Sequence, residues 1–329
     1  MCHNDDWRPA SPAHYRLKLF SRVAAMWVMN RPGHEKHSPL ICPYCAGSLI
    51  REAQAFRCAH GHSFDIAREG YVHMRRTRNS GDSAEMLRAR RVFLDRGHYA
   101  PLAAQISRTV EGHLRQTLTS APRRHIGDGR GTADILDSGC GEGYYLEQLQ
   151  AHLAACMPNM QCRLWGLDSS REAARLTARR CRAAMVVVAD CKDALPFSTG
   201  SLDVLIAIFA PRNPAEFARV LAPGGLLLIV VPDHDHLAEL RDHVHLLSIE
   251  ENKLQHVLDS LTGLFTAFDV RALKLALDLS PDDLSHLVTM SPSHRHQPER
   301  SPSGLRSPEQ YQVTASFQIV TCLRVASDA

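Results

Sequence analysis

A glycine-rich loop, Asp137 to Gly143, is the stretch of this sequence best suited to hold a nucleotide-like cofactor. It follows the apolar segment 133–136 and precedes a helical pattern. Glycines at such a turn let the backbone approach a bound nucleotide without a Cβ in the way. Gly139, Gly141 and Gly143 are spaced G-x-G-x-G, whereas dinucleotide folds carry G-x-G-x-x-G. The loop therefore favours S-adenosylmethionine over NAD as the cofactor.

Three acidic residues follow predicted strands at the edge where this loop lies. Asp137 ends the first strand, Asp168 the second and Asp190 the third. Because ligands of parallel α/β sheets bind at the carboxyl ends of the strands, the three carboxylates form one set. Asp168 is expected to accept hydrogen bonds from both ribose hydroxyls, and Asp190 to reach the adenine amino group. For each acid taken alone, a solvated helix cap or turn is the alternative interpretation.

Two short pairs of thiol and imidazole groups near the N-terminus have the spacing of a metal site. Cys42 and Cys45 form C-x-x-C, and Cys58 and His62 follow thirteen residues later. Four such groups can surround one tetrahedral Zn²⁺, with His60 as the rival for the fourth position. A thioredoxin-like redox pair is the alternative, but the strand–helix context that it requires is missing. Since the protein fills all four positions, the predicted zinc is structural.

The composition is that of a globular chain with a small positive charge. The 329 residues are 44% hydrophobic and 22% charged, with a formal net charge of +3. This charge permits an anionic partner without requiring one. No apolar run approaches the roughly 20 residues of a membrane-spanning helix. The ten cysteines include a metal-like pair and indicate a reducing compartment, so we expect a cytoplasmic protein without a membrane partner.

Strand and helix patterns alternate from residue 134 onward. The predicted strands are 134–138, 163–167, 185–189, 204–209 and 226–231, with later strands at 266–277 and 311–325. The predicted helices between them are 144–155, 171–182 and 215–221. Alternation of this kind indicates a sheet with helices on both faces. With the glycine loop, it predicts a Rossmann-like α/β domain of class I methyltransferase type, preceded by a small zinc-binding domain.

The chain divides into four predicted parts. Residues 1–38 are expected to be a disordered extension, or sequence upstream of a true start at Met29. Residues 39–74 form the zinc-binding domain, which has too few apolar residues to fold without metal. Residues 75–132 form a basic linker with two helices, the first of them capped by Ser83. Residues 133–329 form the S-adenosylmethionine-dependent domain and include a loop at 291–308 rich in Ser, Pro, His and Arg.

The order of several motifs resembles one enzyme family. These motifs are 63–72 (SFDIAREGYV), 81–86 (GDSAEM), 89–99 (ARRVFLDRGHY) and 137–145 (DSGCGEGYY). Over roughly Leu40 to Leu240 the sequence is similar to the bacterial 23S rRNA guanine-N1 methyltransferases of the RlmA (RrmA) type. The forty residues before the first cysteine pair depart from the family pattern.

The resemblance implies methyl transfer from S-adenosylmethionine to N1 of one guanine in a hairpin of 23S rRNA. It also implies that the zinc domain helps to recognise the hairpin and that the protein is a homodimer. By motif match it places zinc ligands at Cys42, Cys45, Cys58 and His62, and cofactor contacts at Tyr99, Gly141, Glu142, Asp168 and His236. Relatives modify either of two neighbouring guanines, and the sequence does not choose between them.

For methylation of a guanine ring nitrogen, the exit of the fourth strand is the expected place of acceptor contact. This segment, 208–212, lacks the D/N-P-P-Y/F pattern of amino-directed methyltransferases, which agrees with a ring-nitrogen target. A base or a water path must remove the N1 proton. Asp233 and His234, just beyond the fifth strand, are the candidates for this role, with a solvent-exposed turn pair as the alternative.

Arginines between the two predicted domains could contact RNA phosphates. They lie on the connector, at Arg75, Arg76 and Arg78, and on the following helix, at Arg88, Arg90 and Arg91. Such contacts give affinity without sequence information. A solvated linker and helix face is the alternative interpretation.

Two other classes of function fit part of the sequence. A small-molecule methyltransferase would share the glycine loop but would have no use for a zinc domain or a basic connector. A non-catalytic zinc-containing RNA-binding protein would not need an intact set of Gly141, Glu142 and Asp168.

Overall fold

The computed structural model describes residues 38–74, 81–120, 125–126, 130–240, 252–291 and 310–325. The predicted N-terminal extension, most of the 291–308 loop and the connector arginines Arg75, Arg76 and Arg78 lie outside the described residues. No helix in the described ranges is both long and apolar enough to cross a membrane.

The described residues form twelve strands and seven α-helices. The strands are β1 (Ile50–Glu52), β2 (Ala55–Arg57), β3 (Ser63–Asp65), β4 (Tyr71–His73), β5 (His125–Ile126), β6 (Arg130–Ser138), β7 (Gln161–Asp168), β8 (Met185–Val188), β9 (Leu202–Ile208), β10 (Leu221–Pro232), β11 (Phe265–Leu279) and β12 (Tyr311–Arg324). The helices are α1 (Ala84–Asp95), α2 (Ala100–Ser120), α3 (Tyr144–Cys156), α4 (Arg171–Arg180), α5 (Pro214–Val220), α6 (Lys253–Leu261) and α7 (Pro281–Met290).

One large sheet organises the molecule and confirms the predicted α/β fold. Its strand order is β11-β12-β10-β9-β6-β7-β8-β4. The strands from β10 to β4 pair in parallel, and β12 and β11 complete one edge in antiparallel orientation. Because β6 is central, the glycine loop that follows it lies between the ends of β7 and β9. Ligand sites of such sheets occur at this position.

Each face of the sheet is covered by its own hydrophobic core. One core joins α1, α2, α3 and α7 to the sheet through residues such as Leu102, Leu149 and Leu287. The other joins α5, α6 and the cysteine-rich segment to the opposite face through residues such as Phe56 and Phe217. Both faces are therefore buried, which explains why β9 and β10 read as nearly continuous apolar runs.

The cysteine-rich segment is built onto the edge of the large sheet. Strands β1, β2 and β3 form a separate three-stranded sheet, but β4 pairs in parallel with β8, with Val72 opposite Val187. The backbone N–H of Ile41 donates to the carbonyl of Pro196 at 3.0 Å. The predicted boundary at residue 74 therefore falls just after a strand that both parts share.

The start of α1 is fixed by a cap and by a close backbone contact. The side chain of Ser83 accepts a hydrogen bond from the backbone N–H of Met86, as expected for an N-cap. Just before it, a Cβ on Gly81 would lie 2.6 Å from the Cβ of Ser170, so the backbone at 81 packs against the turn after β7. This contact brings the residues of α1 to the edge where the glycine loop lies.

Candidate functional site: a glycine loop beside a metal cluster

The glycine loop adopts a backbone that other residues rarely take. Gly139, Gly141 and Gly143 have φ values of +85°, +56° and +90°, all in the left-handed region. Space is short as well, because a Cβ on Gly139 would lie 2.4 Å from the Cβ of Ala210. The loop therefore requires glycine for conformation and for close approach to the exit of β9.

Asp168 closes the loop from the neighbouring strand. Its Oδ2 accepts a hydrogen bond from the backbone N–H of Gly141 at 2.9 Å, and its Oδ1 accepts one from Ser170 at 2.8 Å. On the other side, the Thr177 hydroxyl donates to the Gly141 carbonyl at 2.8 Å. Burial raises the pKa of Asp168 to about 6, although both N–H groups stabilise the carboxylate. A carboxylate held in this way can still accept bonds from ligand hydroxyls through its remaining lone pairs.

The other two predicted acids lie at adjacent strand ends, as expected. Asp137 is buried at the end of β6, where burial and the charges of Asp168 and Glu142 raise its pKa to about 8. Asp190 follows β8, is half-buried, and accepts a hydrogen bond from the Lys192 backbone N–H at 3.0 Å. Parallel pairing of β6 with β7 and of β7 with β8 brings the three acids to one edge.

The side chain of Glu142, a predicted cofactor contact, is engaged by Arg180. The Arg180 guanidinium donates to Glu142 Oε2 at 2.6 Å and to Glu147 Oε2 at 2.7 Å, and it also pairs with Asp95. The side chains of Glu142 and Arg180 are only 1% and 6% exposed. The Glu142 side chain is therefore bound to Arg180 just before α3 begins.

An aromatic cluster is centred on Phe317, which pairs with the end of β10. The rings of Tyr99 and His236 each lie 5.0 Å from the Phe317 ring, and that of Phe209 lies at 5.5 Å. Tyr99 and His236, which the resemblance predicts as cofactor contacts, both pack against this ring. Phe317 was not predicted, because only the antiparallel pairing of β12 with β10 brings it here.

Phe209 combines two unusual properties at the exit of β9. Its φ of +53° is rare for a bulky side chain, and 43% of the residue is exposed. Its backbone N–H donates to the Val230 carbonyl at 3.0 Å, which helps to hold this conformation. Strained, exposed residues of this kind cluster at functional sites.

Asp233 and His234 occupy the turn after β10. Asp233 Oδ1 lies 3.0 Å from His234 Nδ1, and Asp233 Oδ2 accepts a hydrogen bond from Gln318 at 2.6 Å. Burial opposes ionisation of Asp233, but these partners dominate and lower its pKa. His234 is 68% exposed along its side chain. His234 is therefore open to solvent beyond the end of β10, whereas the Asp233 side chain is only 15% exposed.

The arginines of α1 have different surroundings. Arg88 and Arg91 are exposed, and Arg91 lies 3.7 Å from Asp95. Arg90 instead pairs with Asp82 at 2.6 Å and lies against Gly141. The first two arginines thus present their charge to solvent, whereas Arg90 faces the glycine loop.

The four predicted metal ligands form one cluster. Their ligand atoms all lie within 4.8 Å of one another. The sulfurs of Cys45 and Cys58 are 3.7 Å apart, and His62 Nδ1 lies 3.5 Å from the Cys42 sulfur and 3.4 Å from that of Cys58. A tetrahedral zinc with bonds of about 2.0–2.3 Å requires edges of about 3.5–3.8 Å, so the donor set fits. His60, the rival ligand, is exposed and outside the cluster.

Backbone hydrogen bonds shape the two turns that carry these ligands. The Cys42 carbonyl accepts from Ala46, and the Cys58 carbonyl accepts from Gly61, which has a φ of +82°. Burial opposes ionisation of Cys58, but the backbone N–H groups of His62 and His60 lower its pKa to about 6. The thiolate form that binds zinc is therefore accessible near neutral pH.

Together, the sheet order, the glycine loop and the strand-end acids define a class I S-adenosylmethionine-dependent methyltransferase. Residues 135–225 match the family model described as a methyltransferase domain, and residues 40–75 match the model described as "RlmA, N-terminal", a zinc ribbon. A solved structure, the YcgJ protein of Bacillus subtilis, has a TM-score of 0.41 and 17% identity. The superposition covers 66% of this chain and 100% of the YcgJ chain.

Curated relatives extend the match over most of the chain. A 23S rRNA (guanine(748)-N(1))-methyltransferase of Streptomyces fradiae is 36% identical over 287 residues, 86% of this chain and 96% of the relative. A protein of Micromonospora griseorubida, provisionally named as a 23S rRNA (guanine-N(1)-)-methyltransferase, is 38% identical over 78% of this chain and 87% of its own length. The chain therefore belongs to the RlmA-type family of 23S rRNA guanine-N1 methyltransferases. It is an enzyme that uses S-adenosylmethionine and carries a structural zinc, and neither alternative class of function is favoured.

Proposed function

We propose that this protein methylates N1 of guanine 748 in a hairpin of 23S rRNA, the position in the name of the Streptomyces fradiae relative. The proposal depends above all on the length of that match, which spans 96% of the relative and includes both the zinc ribbon and the cofactor domain. A neighbouring guanine is the second candidate. The donor is bound at the glycine loop, with Asp168 on its ribose, Asp190 at its adenine, and Tyr99 and His236 on the aromatic side.

The acceptor guanine is proposed to lie at the exit of β9, on the ring of Phe209. The supporting observations are the exposure of this ring, its left-handed φ and the contact between Ala210 and Gly139. Aromatic side chains hold unstacked bases in single-stranded RNA, and stacking of one base contributes about 1–3 kcal/mol. An extruded guanine at this position would lie beside the contact between Ala210 and Gly139, next to the proposed donor site.

The bound donor supplies an electrophilic methyl group on a sulfonium, and the protein aligns guanine N1 with it. N1 carries a proton that must leave during the transfer. Asp233 and His234 are proposed to provide its exit path, because they follow the strand next to Phe209 and one of them is exposed. An Asp233→Asn variant should lower kcat and change its pH profile while leaving donor affinity unchanged.

Mapping of the methyl group tests the proposal directly. The protein is incubated with labelled S-adenosylmethionine and unmodified 23S rRNA, and the label is located by reverse transcription. Because a methyl group on N1 blocks the pairing edge, the transcript should stop next to guanine 748. A stop beside the neighbouring guanine would assign the other target. If no rRNA were labelled while a known rRNA methyltransferase labelled its own substrate under the same conditions, the proposed function would be refuted.

We further propose that the zinc ribbon and the arginines at 75, 76, 78, 88 and 91 contact the hairpin, and that the enzyme works in the cytoplasm as a homodimer. The exposure of Arg88 and Arg91 supports the RNA contact. For the dimer, the support is strand β11, an edge of the described sheet, where Phe268 and Val270 are 41% and 38% exposed. Sedimentation of the parent and of a Val270→Lys variant tests the dimer, which the substitution should weaken.

A further inference from the structure

Arg90 is the arginine of α1 that faces the glycine loop. Its Nη1 lies 3.2 Å from the position that a Cβ on Gly141 would occupy, and its side chain is 25% exposed. Arg88 and Arg91, which flank it on the same helix, are exposed. The guanidinium of Arg90 therefore belongs to the wall of the donor site rather than to the outer surface of α1.

Two groups hold this guanidinium in place. Its Nη2 pairs with Asp82 Oδ2 at 2.6 Å and donates to the Met290 carbonyl at 3.3 Å. Asp82 is itself fixed, because the adjacent Gly81 packs on Ser170. The charges of Asp82 and Arg90 also act on Asp168 in opposite senses, the first raising and the second lowering its pKa. Arg90 and Asp82 are thus close to the acid proposed to hold the ribose.

Among the described residues, Arg90 is a cation at the loop that suits an anionic ligand group. Arg180 also reaches the loop, but it is 6% exposed and bound to Glu142, Glu147 and Asp95. Arg90 pairs with Asp82, and its side chain remains 25% exposed. Asp137 in the loop and Asp168 beside it are both acidic, so a negatively charged ligand group bound here would be stabilised by such a cation.

S-adenosylmethionine carries one carboxylate, on its methionine arm. We propose that Arg90 binds this carboxylate, an inference that rests on the proposed binding of the methyl donor at the glycine loop. The guanidinium offers several N–H donors in a planar fork that suits a carboxylate. Arg90 can therefore keep its ion pair with Asp82 while it donates to the carboxylate of the ligand. Arg90 is then a donor-binding residue, in place of the RNA-phosphate contact expected from the sequence.

A pair of ligands that differ only in the carboxylate separates this role from a structural one. Titration calorimetry measures binding of S-adenosylhomocysteine and of its decarboxylated analogue to the parent and to Arg90→Gln. Loss of one charge-assisted interaction is expected to weaken S-adenosylhomocysteine about tenfold to a hundredfold. The decarboxylated analogue should bind parent and variant within about twofold, since it lacks the partner group.

Two further variants make the comparison specific. Arg88→Gln removes an exposed arginine from the same helix and should change neither affinity. Arg90→Lys keeps the charge and loses the planar fork, so it should weaken S-adenosylhomocysteine by less than Arg90→Gln. Melting temperatures of all variants with no ligand check that each is folded.

The outcomes are distinct. Equal weakening of both ligands would mean that Arg90 only supports the loop, and unchanged affinity for both would show that it does not touch the donor; either overturns the inference. Weaker rRNA binding with unchanged S-adenosylhomocysteine affinity would return Arg90 to the RNA surface and also overturn it. If the parent itself bound no S-adenosylhomocysteine, the proposed donor site would fail, a result separate from any difference between variants.

Discussion

The buried ion pair between Arg180 and Glu142 makes a strong prediction about stability. Replacing Arg180 by Met keeps most of the side-chain volume but leaves Glu142, which is 1% exposed, without its cation. Breaking a buried pair from one side costs about 3–5 kcal/mol of unfolding free energy. The bonds to Glu147 and Asp95 add little, because those side chains are 39% and 44% exposed.

Protonation of Glu142 limits this cost and makes it depend on pH. Burial raises the pKa of Glu142 in the folded protein, so the folded variant binds a proton more readily than the unfolded chain does. The stability of the variant therefore falls as pH rises above the unfolded pKa of about 4.3. Since neutralisation costs about 1.4 kcal/mol per pH unit, the penalty cannot exceed about 5 kcal/mol at pH 8 or about 2.3 kcal/mol at pH 6.

Urea denaturation of the parent and of Arg180→Met at pH 8 and pH 6 measures these differences. Arg179→Met is the matched control, because Arg179 lies on the same helix and pairs with Glu69, but its side chain is 52% exposed. The control should be close to the parent at both pH values. Adding Glu142→Gln to Arg180→Met should restore much of the stability at pH 8. A penalty no larger than that of the control, or one that is the same at both pH values, would refute the reasoning.

Three further results are expected from the glycine loop, the strand-end acid and the zinc cluster. Gly139→Ala should weaken S-adenosylhomocysteine binding more than about tenfold, because the new Cβ would lie 2.4 Å from the Cβ of Ala210. The control Gly112→Ala on α2 meets open space and should stabilise the protein by up to about 1 kcal/mol. Because burial raises the pKa of Asp168 to about 6, the affinity for S-adenosylhomocysteine should fall as pH falls from 8 through 6 and the carboxylate takes up a proton. Cys58→Ser should purify without its zinc equivalent, whereas Cys162→Ser, outside the cluster, should keep it.

Each of these three predictions has a result that would contradict it. Normal binding by Gly139→Ala in calorimetry would show that the loop is not at the donor. An affinity that does not change between pH 8 and 5.5, or an identical pH dependence in Asp168→Asn, would remove Asp168 from ligand binding. Metal analysis that finds one zinc per chain in Cys58→Ser would show that the cluster is not the zinc site.

The sequence predicts those parts of the site that depend on local pattern. The glycine loop, the three strand-end acids and the two cysteine turns each carry their signal within a few residues, and the structure brings each group together. Strand β4 carries no such signal, because its three residues are defined by pairing with β8, more than a hundred residues later. Helix α7 is a different case, since Ser280 and Asp283 form a capping box with Pro281 at the first helical position, and this start signal is local in the sequence.

The partners of individual side chains are harder to predict than their positions. The motif places Glu142 in the glycine loop, but only the packing of α4 against α3 brings Arg180 to it. Arg88, Arg90 and Arg91 look equivalent in sequence, yet the helical rotation between them turns only Arg90 towards Gly141. Phe317 joins the site through the antiparallel return of β12, a feature of topology that the alternating strand pattern does not contain.

The zinc ribbon and the donor site are mechanically joined through one edge of the sheet. The N–H of Met74, just after β4, donates to the carbonyl of Val188 at 3.0 Å, two residues before Asp190. Gly81, where the described chain resumes, packs on Ser170, two residues after Asp168. Both ends of the connector therefore pack beside the strand ends that are proposed to hold the donor. A hairpin bound by the ribbon would be held at a defined distance from the methyl donor, which is the alignment that methyl transfer requires.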